Sequence, residues 1–140
     1  MLVVLDVNVY VSAIVTPTGV ARSVVEAGIG GRFDYVTSPA LLAELADVLA
    51  RPKISRLVPG DVADRFIADV RGGARLEPDP AESSSVSRDP DDEYLVALAI
   101  SVSADALVTG DADLLDLSDP PVRIVALRSF FESLSGSESA

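Results

Sequence analysis

The sequence contains no histidine and no cysteine. Without histidine, the chain has no Ser-His-Asp triad, no imidazole general base and no imidazole metal ligand. Without cysteine, disulfide bonds and thiolate nucleophiles are excluded as well. The single lysine is Lys53. Any catalysis must therefore depend on carboxylates, hydroxyls, amides, arginines or this one lysine.

Positive charge and long apolar runs are also scarce. The 140 residues include 11 Lys and Arg against 22 Asp and Glu, which gives a net charge of −11. This sign does not favour nucleic-acid binding through bulk electrostatics, although bound cations can neutralise some of the acids. No apolar run approaches the roughly 18–20 residues of a membrane span, and the N-terminus lacks the basic leader of a signal peptide. We expect a cytoplasmic protein with no membrane partner.

Strand and helix patterns alternate along the chain and predict a single domain. The predicted strands are residues 2–5, 33–37, 74–77, 106–109 and 122–125. The predicted helices are residues 9–15, 20–27, 39–49, 54–58, 60–70, 90–102, 113–115 and 129–134. A polar loop over 78–88 and a flexible tail over 135–140 complete the prediction. This order predicts an α/β fold with three layers, in which helices cover both faces of a mostly parallel sheet.

The first predicted strand ends in a carboxylate. Leu2–Leu5 is an apolar run that reads as a strand buried on both faces, and Asp6 follows it directly. In open α/β sheets, ligands bind at the carboxyl ends of the strands. Asp6 is therefore explained either as the cap of the next helix or as a ligand of a metal ion.

Glu44 lies at the margin of an apolar helix face. The helix that begins after Ser38, with Pro39 in its first turn, has one apolar arc of leucines and valines. Glu44 falls just off the edge of this arc, whereas Asp47 lies further round toward solvent. Such an acid can point along the sheet toward a cleft, and an ordinary boundary glutamate explains it equally well.

A cluster of acids opens the most convincing predicted helix. Asp89 is a helix cap, and the acids at 91–93 complement the helix dipole. Asp92 differs from its neighbours because it shares a helix face with Leu95, Val96 and Ala99. A carboxylate on the core-facing side of a helix start is not explained by the helix dipole.

Another carboxylate follows another buried strand. Thr109-Gly110-Asp111-Ala112-Asp113 comes directly after the strand at 106–109. Asp111 alone is a capping signal for a short helix. Together with Asp6, however, it is a second acid at the same edge of a parallel sheet.

These acids form a cluster that predicts a cation site. Packed carboxylates raise each other's pKa values unless a cation lies between them. Oxygen ligands without any histidine or cysteine select a hard divalent ion, Mg²⁺ or Mn²⁺. Such sites bind phosphate groups and promote phosphodiester hydrolysis, so the residues alone predict a metal-dependent phosphoryl hydrolase.

Three segments in this order resemble PIN-domain proteins, specifically the VapC-like ribonucleases of toxin–antitoxin systems. They are LDVNVYVSAI, SPALLAELADVLARPK and RDPDDEYLVALAISVSADALVTGDADLL. The resemblance implies a PIN domain over residues 1–134. It further implies Mg²⁺- or Mn²⁺-dependent cleavage of single-stranded RNA, a homodimer, and a cognate antitoxin protein that covers the site.

The resemblance also implies roles for particular residues. The catalytic metal ligands would be Asp6, Glu44, Asp92 and Asp111. Asp113 would be a further acid at the metal, Asn8 would support the first aspartate, and Thr109 would place a hydroxyl beside the metal.

Contact with RNA is predicted less sharply. Arg51, Lys53 and Arg56 follow the Glu44 helix and can track a phosphate backbone, although a solvated helix end explains them equally well. Two other functions share parts of this pattern. A phosphoacceptor receiver domain needs paired acids after the first strand and a lysine after a late strand, and neither is present. A PIN-like module without catalysis, which binds a protein or RNA partner, has the same sequence features apart from turnover.

Overall fold

The strand that begins at Leu2 lies at the centre of a five-stranded parallel sheet. The computed structural model describes residues 1–80 and 90–138, and it describes their side chains except at 90–92 and 135–138. The strands are β1 (Leu2–Leu5), β2 (Asp34–Thr37), β3 (Arg75–Leu76), β4 (Ala106–Thr109) and β5 (Ile124–Ala126). The described helices are α1 (Val7–Val15), α2 (Val20–Ile29), α3 (Pro39–Ala50), α4 (Pro52–Ser55), α5 (Gly60–Gly73), α6 (Pro90–Ser101), α7 (Ala112–Leu115) and α8 (Leu127–Glu138).

The strand order is β3-β2-β1-β4-β5, and every neighbouring pair is parallel. The chain moves in one direction across the sheet from β1 to β3 and in the opposite direction from β3 to β5. Right-handed crossovers therefore place α1–α5 on one face and α6 on the other. The contacts between elements agree with this placement, because α1, α2, α3 and α5 pack together while α6 packs on β1 and β4. The predicted three-layer α/β fold is confirmed.

The core lies on both faces of β1 and β4. Val3, Val4 and Leu5 are fully buried, as are Leu107 and Val108 in β4. Such continuous apolar runs are typical of a strand covered by helices on both faces. β4 is buried along its whole length and β1 from Val3 onward, which gives a rigid base to the residues that follow their carboxyl ends.

Several element boundaries differ from the prediction. Helix α1 begins at Val7, two residues earlier than expected, because Asp6 caps it. Helix α4 is Pro52–Ser55, because a proline is compatible with the first helical position and starts the turn earlier than predicted. Helix α8 continues to Glu138, into the segment expected to be a flexible tail, because extending an established helix adds a hydrogen bond for each residue fixed.

Some predictions fall partly outside the described residues. The predicted loop over 78–88 is described only to residue 80, and residues 139–140 of the predicted tail are also outside. Within the described part of the chain, no helix is both long enough and apolar enough to cross a membrane.

Candidate active site at the carboxyl edge of the sheet

The direction of the chain across the sheet reverses between β1 and β4. In open parallel sheets, a crevice opens at this switch point outside the carboxyl ends of the strands. Leu5 of β1 lies opposite Val108 of β4, so Asp6 and Thr109 are the next residues at this edge. The main chains stay paired there, because Asp6 N donates to the Val108 carbonyl at 3.0 Å. Topology alone therefore brings the first predicted site residue to the place where a ligand is expected.

Asp6 is buried, and hydrogen bonds hold both of its carboxylate oxygens. Its side chain is 5% exposed. The main-chain N–H of Asn8 donates to Oδ1 at 3.1 Å, and the Thr109 hydroxyl donates to Oδ2 at 2.7 Å. The first of these bonds makes Asp6 the N-cap of α1. Capping and a site role are alternatives in the sequence, but capping occupies only part of the carboxylate, so the two are compatible.

Thr109 joins Asp6 to the loop that carries Asp111. The threonine side chain is fully buried, and its hydroxyl accepts from the main-chain N–H of Asp111 at 3.0 Å while it donates to Asp6. Asp111 in turn accepts from the main-chain N–H of Asp113 at 2.9 Å and so caps α7. One hydroxyl thus fixes the two strand-end aspartates relative to each other.

A cleft opens beside this pair. It has a volume of about 260 Å³ and is lined by Asn8, Val9, Ser12, Gly110, Asp111 and Leu127. Asp111 is half-buried on its wall, and the Asn8 side chain is exposed. The cleft therefore lies at the strand ends and has one carboxylate, that of Asp111, in a lining of mixed polar and apolar residues.

Glu44 is carried to the same side by α3. Ser38 caps this helix by accepting from the main-chain N–H of Leu41 at 3.3 Å, and Pro39 occupies its first turn, as predicted. Glu44 is half-buried one turn later. Its negative charge contributes to a raised pKa of Tyr94, after burial and a hydrogen bond from the phenol to Asp79. Glu44 therefore lies near the start of α6.

Asp92 stands in the first turn of α6, and its side chain is outside the described residues. The positions three, four and seven residues later, Leu95, Val96 and Ala99, are all buried, as expected from the helical pattern. The backbone thus places residue 92 on the element that packs on β1 and β4.

The donor set is compatible with a hard divalent cation. The described acids at the β1 and β4 ends offer only oxygen atoms, which Mg²⁺ and Mn²⁺ prefer. Among the side chains that the structure describes, which exclude Asp92, no group of three or more acids is arranged to hold a metal ion. The hydrogen bonds of Thr109 link Asp6 to the main chain of Asp111, and the convergence of Glu44 and Asp92 on this pair stays a prediction.

The remaining predicted residues lie around this edge or beyond it. The side chain of Asp113 is exposed in α7, and the contact by which Asn8 supports Asp6 comes from its main chain. Arg51, Lys53 and Arg56 are all exposed in and around α4. Arg51 pairs with Asp47 at 3.3 Å, one helical turn away.

A polar network that joins Ser38, Tyr94 and Asp79 was not predicted from the sequence. Ser38 was expected only as a helix cap, yet its hydroxyl also makes a short hydrogen bond with the phenol of Tyr94. Tyr94 in turn donates to Asp79 at 2.5 Å. Ser38 and Tyr94 are separated by 56 positions, so no local pattern indicates their contact.

The fold and site together define an α/β protein with two strand-end aspartates, Asp6 and Asp111, beside a cleft at the switch point of a parallel sheet. The sequence profile of the PIN domain matches residues 2–113. The chain therefore belongs to the PIN-domain family. PIN domains are generally metal-dependent nucleases, and this assignment confirms the family expected from the three sequence segments.

Individual proteins are similar to this chain in sequence or in fold. The uncharacterized protein MJ1680 of Methanocaldococcus jannaschii is 27% identical over 117 residues, which are 84% of this chain and 75% of that protein. The crystal structure of VapBC2 from Rickettsia felis, bound to a DNA fragment from their promoter, matches with a TM-score of 0.65 at 16% identity. That match covers 90% of this chain and 98% of the other.

A second solved structure supports the fold. PAE2754 from Pyrobaculum aerophilum matches with a TM-score of 0.65 at 20% identity, over 96% of this chain and 89% of that chain. At these identities, the two structural matches establish the shared fold.

Proposed function

We propose that this protein is a Mg²⁺- or Mn²⁺-dependent endoribonuclease that cleaves single-stranded RNA, and that it is the toxin of a toxin–antitoxin system. The observation that carries the proposal is the buried carboxylate of Asp6, linked to the Asp111 loop through the Thr109 hydroxyl. This arrangement lies at the switch point of a PIN-domain sheet, in a family whose members are generally metal-dependent nucleases.

Four acids are the proposed metal ligands: Asp6, Glu44, Asp92 and Asp111. Asp113 is a further acid that would act from the exposed side of the same turn. When bound, the cation would stabilise negative charge on the phosphodiester and make an attacking water more acidic. The chain's own contribution is to hold Asp6 in a fixed position, since both of its carboxylate oxygens accept hydrogen bonds from the protein.

The RNA backbone would enter through the cleft beside Asn8 and Asp111. Arg51, Lys53 and Arg56 are the basic residues that would contact its phosphates. Because the chain has a net charge of −11, affinity away from the metal is expected to be weak and sensitive to salt. Recognition would thus depend mainly on the metal site.

The proposed partners are a cognate antitoxin and a second copy of the chain, in the cytoplasm. The support for an antitoxin is the fold shared with VapBC2 from Rickettsia felis. An antitoxin that covers the cleft beside Asp111 would prevent cleavage until it is removed.

A cleavage assay tests the function. Purified protein is incubated with a panel of single-stranded RNAs in Mg²⁺, in Mn²⁺ and in excess chelator. We expect metal-dependent cuts by the wild type and none by Asp6→Asn. Asp34→Asn is a matched control, because Asp34 is exposed at the opposite end of the sheet and should leave cleavage unchanged.

The same assay distinguishes the proposed nuclease from the alternative function. Absence of metal-dependent cutting by the wild type across a broad panel would contradict the nuclease proposal. It would favour a PIN-like module that acts by binding a protein or RNA partner.

A further inference from the structure

A chain of hydrogen bonds begins and ends at the first turn of α3. The main-chain N–H of Leu41 donates to Ser38 Oγ at 3.3 Å, and Ser38 bonds to the phenol of Tyr94. Tyr94 donates to Asp79 Oδ1 at 2.5 Å, and the main-chain N–H of Ala40 donates to the same oxygen at 3.1 Å. The two N–H groups that open α3 are thus both satisfied through one network, which we call the Tyr94 network.

The direction of each hydrogen bond in the Tyr94 network is fixed by chemistry. An ionised carboxylate can only accept, so Tyr94 must give its proton to Asp79. The phenol oxygen then accepts from Ser38, whose own oxygen accepts from Leu41. Burial raises the pKa of Asp79, but the hydrogen bonds from Tyr94 and Ala40 outweigh it and leave the pKa below its ordinary value. The carboxylate therefore stays ionised, and this bond direction is maintained at neutral pH.

The Tyr94 network connects the two helices that carry proposed metal ligands. Tyr94 lies on α6, two residues after Asp92, and Ser38 begins α3. Glu44 follows Ala40 by four residues and therefore lies above it on one face of α3.

Ser38 gives the network a rigid anchor. Its side chain is completely buried, whereas Tyr94 is half-buried and Asp79 is exposed. The Tyr94 phenol is therefore positioned between a fixed hydroxyl and a carboxylate on the loop after β3. Rotation of α6 relative to α3 would break at least one of these bonds.

We propose that Tyr94, with Ser38 and Asp79, is a positioning residue that sets the separation of α3 from α6 and hence of Glu44 from Asp92. The proposal rests on the proposed function, in which both acids bind the metal. Tyr94 itself does not contact the ion. It acts by keeping two ligand-bearing helices in register, as groups bonded to metal ligands do in other sites.

Calorimetric titration with Mn²⁺ tests the Tyr94 network without requiring a known RNA. Tyr94→Phe removes one hydroxyl and retains the ring, and Ser38→Ala removes the other end of the same bond. We expect each variant to raise the Kd for Mn²⁺ about tenfold, and the double variant to be little worse than either single one. Asp79→Asn retains an acceptor oxygen and should retain most of the affinity.

Tyr10→Phe is the matched control. The Tyr10 hydroxyl is buried and has no hydrogen-bond partner among the described residues, so its removal should leave the Kd unchanged. Thermal unfolding without metal shows whether each variant is folded. If Tyr94→Phe fails to fold, Ser38→Ala tests the same hydrogen bond.

The outcomes separate the two proposals. If the wild type binds Mn²⁺ and both Tyr94→Phe and Ser38→Ala bind it within twofold of the wild type, the positioning role is wrong while the proposed function stands. A lower Tm with an unchanged Kd also overturns the positioning role, because that pattern is expected of an ordinary helix cap. If the wild type binds no Mn²⁺, the metal-dependent function fails and the positioning role fails with it.

Discussion

The two strands that flank β1 each end in a threonine, and the hydroxyls of these two threonines differ in their hydrogen bonds. Thr109 is the last residue of β4 and Thr37 the last residue of β2, and both are completely buried. The Thr109 hydroxyl donates to Asp6 and accepts from the main chain of Asp111. The Thr37 hydroxyl has no hydrogen-bond partner within the part of the chain that the structure describes. Residue type, burial and strand position are matched, so only the hydrogen bonds differ.

The difference shows what distinguishes the candidate site from the rest of the edge. Burial of a hydroxyl at a strand end is common to both places and does not mark a site. At β4 the strand's last side chain is bonded to a buried carboxylate. At β2 the next residue, Ser38, makes the contacts, and it joins two helices through Tyr94. The β4 end fixes acids directly, whereas the β2 end fixes the helices that carry them.

Substitutions of Thr109 and Thr37 are expected to differ most in the rate of RNA cleavage. Thr109→Val retains the shape of the side chain but removes the hydroxyl that orients Asp6. We expect a loss of about 10- to 100-fold in the cleavage rate, as for other groups that orient metal ligands. The measurement is the initial rate on one RNA that the wild type cleaves.

Thr37→Val is the control for this rate, and it should stay within about twofold of the wild type. Thr109→Ser retains the hydroxyl and should restore most of the activity. Equal losses in Thr109→Val and Thr37→Val would show that the hydrogen bond to Asp6 has no special role.

A smaller difference is expected in stability. Thr109→Val leaves one oxygen of a buried carboxylate and the Asp111 N–H without this partner, which costs about 1–3 kcal/mol of unfolding free energy. Thr37→Val replaces a hydroxyl that has no described partner and should be neutral or slightly stabilising. Urea-induced unfolding of the three proteins without metal gives both values. The comparison would be contradicted if Thr37→Val were the more destabilising of the two.

The smallest expected effect is the pH dependence of the stability that Asp79 contributes near the end of β2. The pKa of Asp79 is lower in the folded protein than its ordinary value of 3.8, despite the opposing effect of burial, because of the hydrogen bonds from Tyr94 and Ala40. A lowered pKa contributes stability above the unfolded-state pKa, and this contribution is lost as the pH falls through the folded value. The effect is small because Asp79 is exposed.

Unfolding of wild type and Asp79→Asn between neutral and acidic pH checks this prediction. The wild type should be the more stable protein at neutral pH. The difference in unfolding free energy between the two proteins should disappear below about pH 4. A gap that widened with acid would mean that folding raises the pKa of Asp79.

The local features of this fold could be predicted from the sequence. The bounds of β1 and β4 were predicted correctly because each is a buried apolar run that ends at a polar residue. Ser38 and Pro39 were placed correctly at the start of α3, because capping depends on neighbouring residues. The alternation of strands and helices predicted a mostly parallel sheet, and it therefore predicted that Asp6 and Asp111 would lie at one edge of it.

Contacts between distant residues could not be predicted in this way. The bond from Thr109 to Asp6 spans 103 positions and that between Ser38 and Tyr94 spans 56. Periodicity shows which face of an element is buried, but it does not show which hydroxyl meets which acid. For the same reason, the convergence of Glu44 and Asp92 on the strand-end pair stays a prediction.

Binding of Mn²⁺ by calorimetry tests the central claim most directly, namely that Asp6 is held at the switch point to bind a cation. The proteins are the wild type, Asp6→Asn and the control Asp34→Asn. We predict saturable binding by the wild type and Asp34→Asn, and binding at least tenfold weaker by Asp6→Asn. Equal affinity in all three proteins, or no binding by the wild type, would contradict the account.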